Sequence, residues 1–202
     1  MSRLIAALAL IVVSAAPAAA ATQVGTVDRV QGVCAGAVDG AMRTLVEDAP
    51  VHLNEEIVTG ADARLAVNLD DGTVLTIGEK AHLSIDAFVY DPAGKSTLHA
   101  IVAGAFRYVS GAMTPQASRT ASVTTPVALI GVRGTDFWGG PIDGGFGVAL
   151  FEGSITVTSG GVTRVLEVPG IGVDVAPGSV PEDATTWPDD KVGRALATVT
   201  FR

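Results

Sequence analysis

The sequence predicts an all-β fold, rolled or solenoid-like, made of many short strands and ended by one short C-terminal helix. Three observations carry that expectation. Nearly every segment is a brief β-branched or aliphatic run bounded by Gly, Asp, Asn or Pro. Glycine supplies 24 of 202 residues, whereas aromatics are 5% and methionines number three, which favours a chain of turns over a helical bundle. Apolar and polar residues also alternate with a period of two, most clearly between Arg64 and Ile77.

The first element is not part of that fold. Met1-Ser2-Arg3 precedes an apolar run from Leu4 to Val13, and Ser14-Ala15-Ala16-Pro17-Ala18-Ala19-Ala20-Ala21 follows. One basic residue, a short apolar stretch and an Ala-x-Ala ending are the parts of a secretory signal peptide. The run falls short of the roughly 20 apolar residues a span requires. Cleavage after Ala20 and after Ala21 fit equally well. No cysteine follows the site closely enough for a lipid anchor, since Cys34 lies well downstream. The expected protein is periplasmic or secreted, with no stable membrane insertion after cleavage. Its divisions are a signal peptide over 1–21, a β domain over 22–180 and a C-terminal extension with a short helix over 181–202.

The first mature strand covers 24–33. Arg64 to Ile77 then reads as a hairpin around a three-residue loop, Asp70-Asp71-Gly72, with Gly72 left-handed. That loop pairs Leu69 with Thr73, Val67 with Leu75 and Leu65 with Ile77, placing Leu65, Val67, Leu69, Leu75 and Ile77 on one face and Arg64, Ala66, Asn68 and Thr76 on the other. A two-residue loop would set Leu75 opposite Asn68 and send the apolar set to the wrong side. Further strands are expected at 83–90, 97–102, 106–110, 119–124, 127–132, 162–168 and 173–176. Turns at Asp91-Pro92-Ala93-Gly94, Ser159-Gly160-Gly161 and Pro169-Gly170 separate several of them. A second hairpin is expected about Glu152-Gly153, pairing Leu150 with Ile155 and Val148 with Val157, although Glu152 suits a left-handed turn poorly. Gly139 to Gly147 reads as a loop. The helix comes last: Pro188, Asp189 and Asp190 supply start signals for Lys191 to Ala197. No fixed-period repeat is evident, which disfavours a regular array.

The most informative segment runs from Ala121 to Phe137. Two β-branched runs meet at Thr125-Pro126 and lead into Gly131-Val132-Arg133-Gly134-Thr135-Asp136-Phe137. Pro126 has no N–H for a ladder and belongs at a strand start or edge. Gly131 and Gly134 mark a tight turn. This segment resembles the signature of the FecR-domain family, a periplasmic module named after a regulator of iron-citrate uptake. The likeness extends from roughly Val51 to Gly178. It takes in Ile57-Val58-Thr59-Gly60, the alternating strand from Leu65 to Leu69, Asp71-Gly72-Thr73, Val74-Leu75-Thr76-Ile77, Gly104 with Phe106, and the strands around Gly153. The order of these elements, more than any one of them, is specific. A Gly-Asp pair expected before the Ile-x-Thr step is replaced by Glu55-Glu56, and Trp187 to Arg202 has no evident counterpart.

The resemblance implies an all-β rolled module and a signalling or binding role in the cell envelope. The family's named member also carries a cytoplasmic segment that controls a sigma factor. With no such segment or span expected after the signal, that role is not carried over to this chain.

Composition narrows the chemistry. Thirteen basic residues face 21 acidic ones, a formal net charge of −8, and loss of Arg3 with the leader adds one more negative unit. That sign repels phosphate backbones and anionic lipid heads, so nucleic acid is excluded as a partner. Cys34 is the only cysteine and reads as a small buried residue, with an intermolecular disulfide or a reactive thiol as the alternatives. His52, His82 and His99 lack metal-site spacing, and Asp70-Asp71-Gly72 lacks the remaining ligands of a calcium loop. Gly131-Val132-Arg133-Gly134-Thr135 is no phosphate loop, and no Gly-x-Ser-x-Gly elbow occurs. No catalytic, metal or cofactor residue is assigned, and no cofactor is expected.

The candidate contact residues are Arg133, Asp136 and Trp138. Arg133 and Asp136 either fix the loop through a charge-assisted bond or present it to a partner. Phe137 points to the core by alternation and Trp138 outward, where an aromatic ring is a frequent anchor. Asp71, Gly72, Gly131 and Gly134 are structural turn residues. The sequence therefore reads as a non-catalytic, exported binding or sensing module acting on an envelope protein or surface polymer. A structural or matrix-assembly protein is the alternative, and an exported hydrolase a remote one.

Overall fold

A computed structural model describes residues 21–91, 95–111 and 119–202. The signal segment before residue 21 and most of the turn at 91–94 lie outside the described residues. Among the described residues, sixteen strands form one curled sheet, and one short helix follows them.

Local pattern and observed register agree in the hairpin of β6 (Arg64–Leu69) and β7 (Val74–Ile77). Leu65 faces Ile77, Val67 faces Leu75, and the Leu69 N–H donates to the Thr73 carbonyl at 2.8 Å. Gly72 closes the loop at φ 82°, in the left-handed region expected of it. Leu65, Val67, Leu69, Leu75 and Ile77 are all buried. Asp71 does more than turn the chain. Its Oδ1 accepts the Thr73 N–H at 2.9 Å, and its Oδ2 accepts the Ser96 hydroxyl at 2.7 Å, tying the loop to β9 (Lys95–Ala103).

The spine of the sheet is a pair of long strands, β12 (Leu129–Ile142) and β13 (Gly145–Ser159), antiparallel from Leu129 opposite Thr158 to Ile142 opposite Gly145. Three expectations are corrected here. Gly131 to Gly134 is not a turn between strands, Glu152-Gly153 is not a hairpin, and Gly139 to Gly147 is strand on both sides of a short Asp143-Gly144 turn. Each arises from one fact: two long strands bend together without ending. β12 carries an extra residue between Arg133 and Asp136, and β13 an extra one opposite the step from Asp136 to Phe137. The two bulges compensate, so the register resumes. Gly134 (φ 58°) and Gly153 (φ 77°) face each other at this corner; a Cβ on Gly153 would stand 1.9 Å from the Gly134 carbonyl oxygen.

Both strands exchange partners at the corner. Before it β12 pairs with β11 (Arg119–Thr124), and after it with β10 (Phe106–Val109). The Phe146–Ala149 part of β13 pairs with β15 (Ile171–Val175), whereas Ile155 to Ser159 pairs with β14 (Val162–Leu166). A sheet that forks this way can roll around a core. The centre of that core is aromatic: Phe137 stacks on Tyr108 at 5.4 Å between centroids and meets Phe106 edge-on at 5.8 Å.

The outer face of the spine is covered by the chain's end. Pro188 caps α1 (Asp189–Ala197), Asp189 and Asp190 occupy its first turn, and Arg194 its last. Trp187, Ala195 and Val199 pack on Trp138 and Ala149 in a second, smaller core. Gly147 and Gly172 form its floor, because a Cβ at either would lie 2.6 Å or 2.4 Å from the Trp187 ring. Gly147, which read as loop, is thus part of the flat surface on which an indole rests. Among the described residues, no helix is long and apolar enough to cross a membrane.

Candidate functional site

The signature residues occupy the corner, and most of them build it. Val132 and Phe137 belong to the inner core. Gly134 supplies the left-handed step. The Thr135 N–H donates to the Ser110 hydroxyl at 2.9 Å, while the Ser110 N–H donates to the Thr135 carbonyl at 2.8 Å.

Asp136 is held from an unexpected side. The bulge sets it opposite Val109, within diagonal reach of Arg107 on β10. Arg107 grips it at two points, Nε to Oδ1 at 2.8 Å and Nη2 to Oδ2 at 2.6 Å. That hydrogen-bonded carboxylate drives the Arg107 pKa further up, so the pair stays ionised. Asp136 thus takes its two-point partner from across the sheet, a strand away from the loop-mate expected for it.

Trp138 is the clearest correction. Alternation does turn it away from the inner core, yet the ring is fully buried. The outward face is covered by Trp187, 6.1 Å away between centroids, and the Trp138 Nε1–H donates to the Thr198 hydroxyl at 3.0 Å. An indole in this position is a docking point for the chain's own end.

Arg133 is exposed, at the rim of a shallow groove of about 380 Å³ on the outer face. Thr120, Ser154, Thr156 and Glu167 line it beside Gly131. Gly131 is required for closeness, since a Cβ there would come within 2.5 Å of the Thr156 hydroxyl. Hydroxyls, one guanidinium and one carboxylate on a flat strand surface suit hydrogen bonding to a polar partner.

Sequence reasoning missed two polar clusters. Glu55, one of the pair that departs from the family pattern, is fully buried. It accepts Arg43 Nε at 3.0 Å, Arg43 Nη2 at 2.8 Å and the His52 N–H at 3.0 Å, so a charged knot replaces the simple turn. The two carboxylates in a row were the only signal. On the outer face, His99 contacts Asp86 through Nδ1 and the Thr124 hydroxyl through Nε2 at 2.9 Å. The order acid, imidazole, hydroxyl is that of a nucleophile relay. Thr124, however, sits between Ile101 and Leu129 in the middle of the sheet, where neighbouring N–H groups serve the ladder. An oxyanion needs convergent donors that such a position does not offer. His52 and His82 contact Glu55 and Glu56. Among the described residues, no group of three His, Cys, Asp or Glu side chains is placed to hold a metal ion. Cys34 is buried, and burial pushes its thiol up to about 11.

Fold and groove together define a rolled β-module with a helix-covered outer face and a polar strand surface beside its corner. The model of the FecR protein family matches residues 55–156, half of the sequence, and the chain belongs to that family. The match spans the corner and lies inside the range over which the motifs run. Two crystal structures of a candidate anti-sigma factor from Parabacteroides distasonis, at 1.65 Å and 2.50 Å resolution, share the fold. Each is 18% identical, with a TM-score of 0.57 over 70% of this chain. The shared part amounts to 64% and 63% of those two chains. No curated protein matches the sequence.

Proposed function

We propose that this FecR-family chain is a non-catalytic, exported sensing module of the bacterial cell envelope that signals by contact with an envelope partner. The observation that carries the reading is the division of labour within the signature. Gly134, Thr135 and Phe137 build a rigid corner, and Arg133 is presented beside it on a groove of hydroxyls. Loops and surfaces held by a rigid scaffold are where recognition residues concentrate. Family membership supports the signalling role, as does the fold shared with a protein described as an anti-sigma factor. The signal-like N-terminus supports export.

Three measurements test it. Fractionation with N-terminal sequencing should find a periplasmic or secreted protein beginning at Ala21 or Thr22. A photo-reactive residue at position 133 in intact cells should give one discrete adduct, absent when the same group replaces exposed Val89. Deleting the gene should change transcription of a limited gene set. An envelope-integrity defect with no transcriptional response and no adduct would replace the sensing role with a structural one.

A further inference from the structure

Four basic side chains of this acidic protein converge on one cavity, far from the groove described above. Its volume is about 430 Å³, within the usual range for small-ligand sites. Arg64 enters from the start of β6, Lys80 from the turn after β7, and Arg194 and Arg202 from the end of α1 and the tail. Ala105 and Pro141 contribute an apolar floor.

Arg64 is the telling member. The residue is 4% exposed, yet among the described residues its guanidinium has no carboxylate in ion-pair contact. Nη1 donates to the Ala63 carbonyl at 2.7 Å, and Nη2 reaches the Ala197 carbonyl only at 3.5 Å. Nε is buried with no hydrogen-bond partner. A buried guanidinium whose counter-charge, Glu79, stands outside ion-pair contact is a costly arrangement. The acidic lining residue is Glu79, whose Oε2 is already occupied by the Asp62 N–H at 2.7 Å. That bond, and then the fields of Lys80, Arg64 and Arg202, hold the Glu79 carboxyl below its ordinary range, so the cations act on one shared volume.

The geometry points to a binding site for a small organic anion, one that bears a carboxylate or phosphate group on an apolar skeleton. The anionic group would take Arg64 Nη2, which the Ala197 carbonyl holds only at 3.5 Å, and the Lys80 ammonium, the pairing for which planar guanidinium donors are suited. The skeleton would lie on Ala105 and Pro141. Because the walls come from both the sheet and α1, an occupant would also hold the helix against the sheet. The alternative role for Arg64 is to satisfy the last turn of α1 alone, and that role makes no demand on Lys80.

Isothermal titration with succinate, glycerol 3-phosphate and inorganic phosphate distinguishes them. At least one organic anion should bind the wild type more tightly than inorganic phosphate and slow amide exchange in α1. Lys80→Glu, at an exposed position, should weaken that binding by about tenfold or more while leaving the ligand-free melting temperature unchanged. Arg64→Met should abolish it, and if that variant does not fold, Lys80→Glu carries the test. Arg133→Glu should leave it intact, which separates this site from the groove. No heat from any of the three anions up to about 10 mM, or equal binding by Lys80→Glu, overturns the proposal.

Discussion

Phe137 and Trp138 are neighbours on one strand and both are fully buried, but they belong to two different cores. Phe137 faces a core made by the β-module itself, among rings from β10. Trp138 faces one completed only by Trp187, α1 and Val199, some fifty residues further along the chain. The difference teaches that burial on one face of this sheet is made by the strands themselves, whereas burial on the other is conferred by the segment from Trp187 to Val199.

The comparison breaks most severely at Phe137. Phe137→Ala removes a ring that two aromatics contact and should cost about 3–5 kcal/mol, a large share of a domain's stability. Chemical denaturation would show it, and a loss below about 1 kcal/mol would mean that the inner core is not organised around this ring. Removing residues 185–202 should act differently. The far-ultraviolet signal of the sheet should persist, while the emission of Trp138, by then the one tryptophan left of two, shifts to the red. Unchanged emission would show that the outer face is covered by something else.

Cys34, in the inner core, sharpens the contrast through pH. Its thiol pKa is raised from 9.0 to about 11 by burial. The unfolded chain therefore releases this proton first. Stability present below pH 9 is lost as pH rises toward 11, by about 2 kcal/mol. Cys34→Ala should flatten that part of the curve; an identical slope would place the loss elsewhere. The smallest effect belongs to the corner that joins the two cores. Gly134→Val puts a β-branched residue at φ 58° and should cost about 1–2 kcal/mol, read as a lowered melting temperature. A variant that melts like the wild type would mean the bulge relaxes freely.

The hairpin from Arg64 to Ile77 was legible because everything that sets its register lies within fourteen consecutive positions. The helix was legible for the same reason, from Pro188 and two aspartates. The spine was not. Glu152-Gly153 and Gly131 to Gly134 carry turn chemistry, and only the opposing bulge on the partner strand shows that they bend the sheet without ending it. Of the candidate contacts, Arg133 stands exposed beside the groove. Trp138 could not be placed from its own strand, because alternation gives direction and says nothing about what arrives later to cover it. Arg64 carried no signal at all: within its strand it is one more polar residue in a period-two pattern.

The glycine floor beneath Trp187 has a consequence for how this sequence can change over generations. Gly147 and Gly172 sit on adjacent strands and answer to one indole, since any Cβ at either would intrude on the ring. Positions 147, 172 and 187 should therefore drift as a linked triplet among relatives. A larger residue at either glycine can be accepted only after the tryptophan has shrunk, so the order of substitutions is constrained as well as their identity.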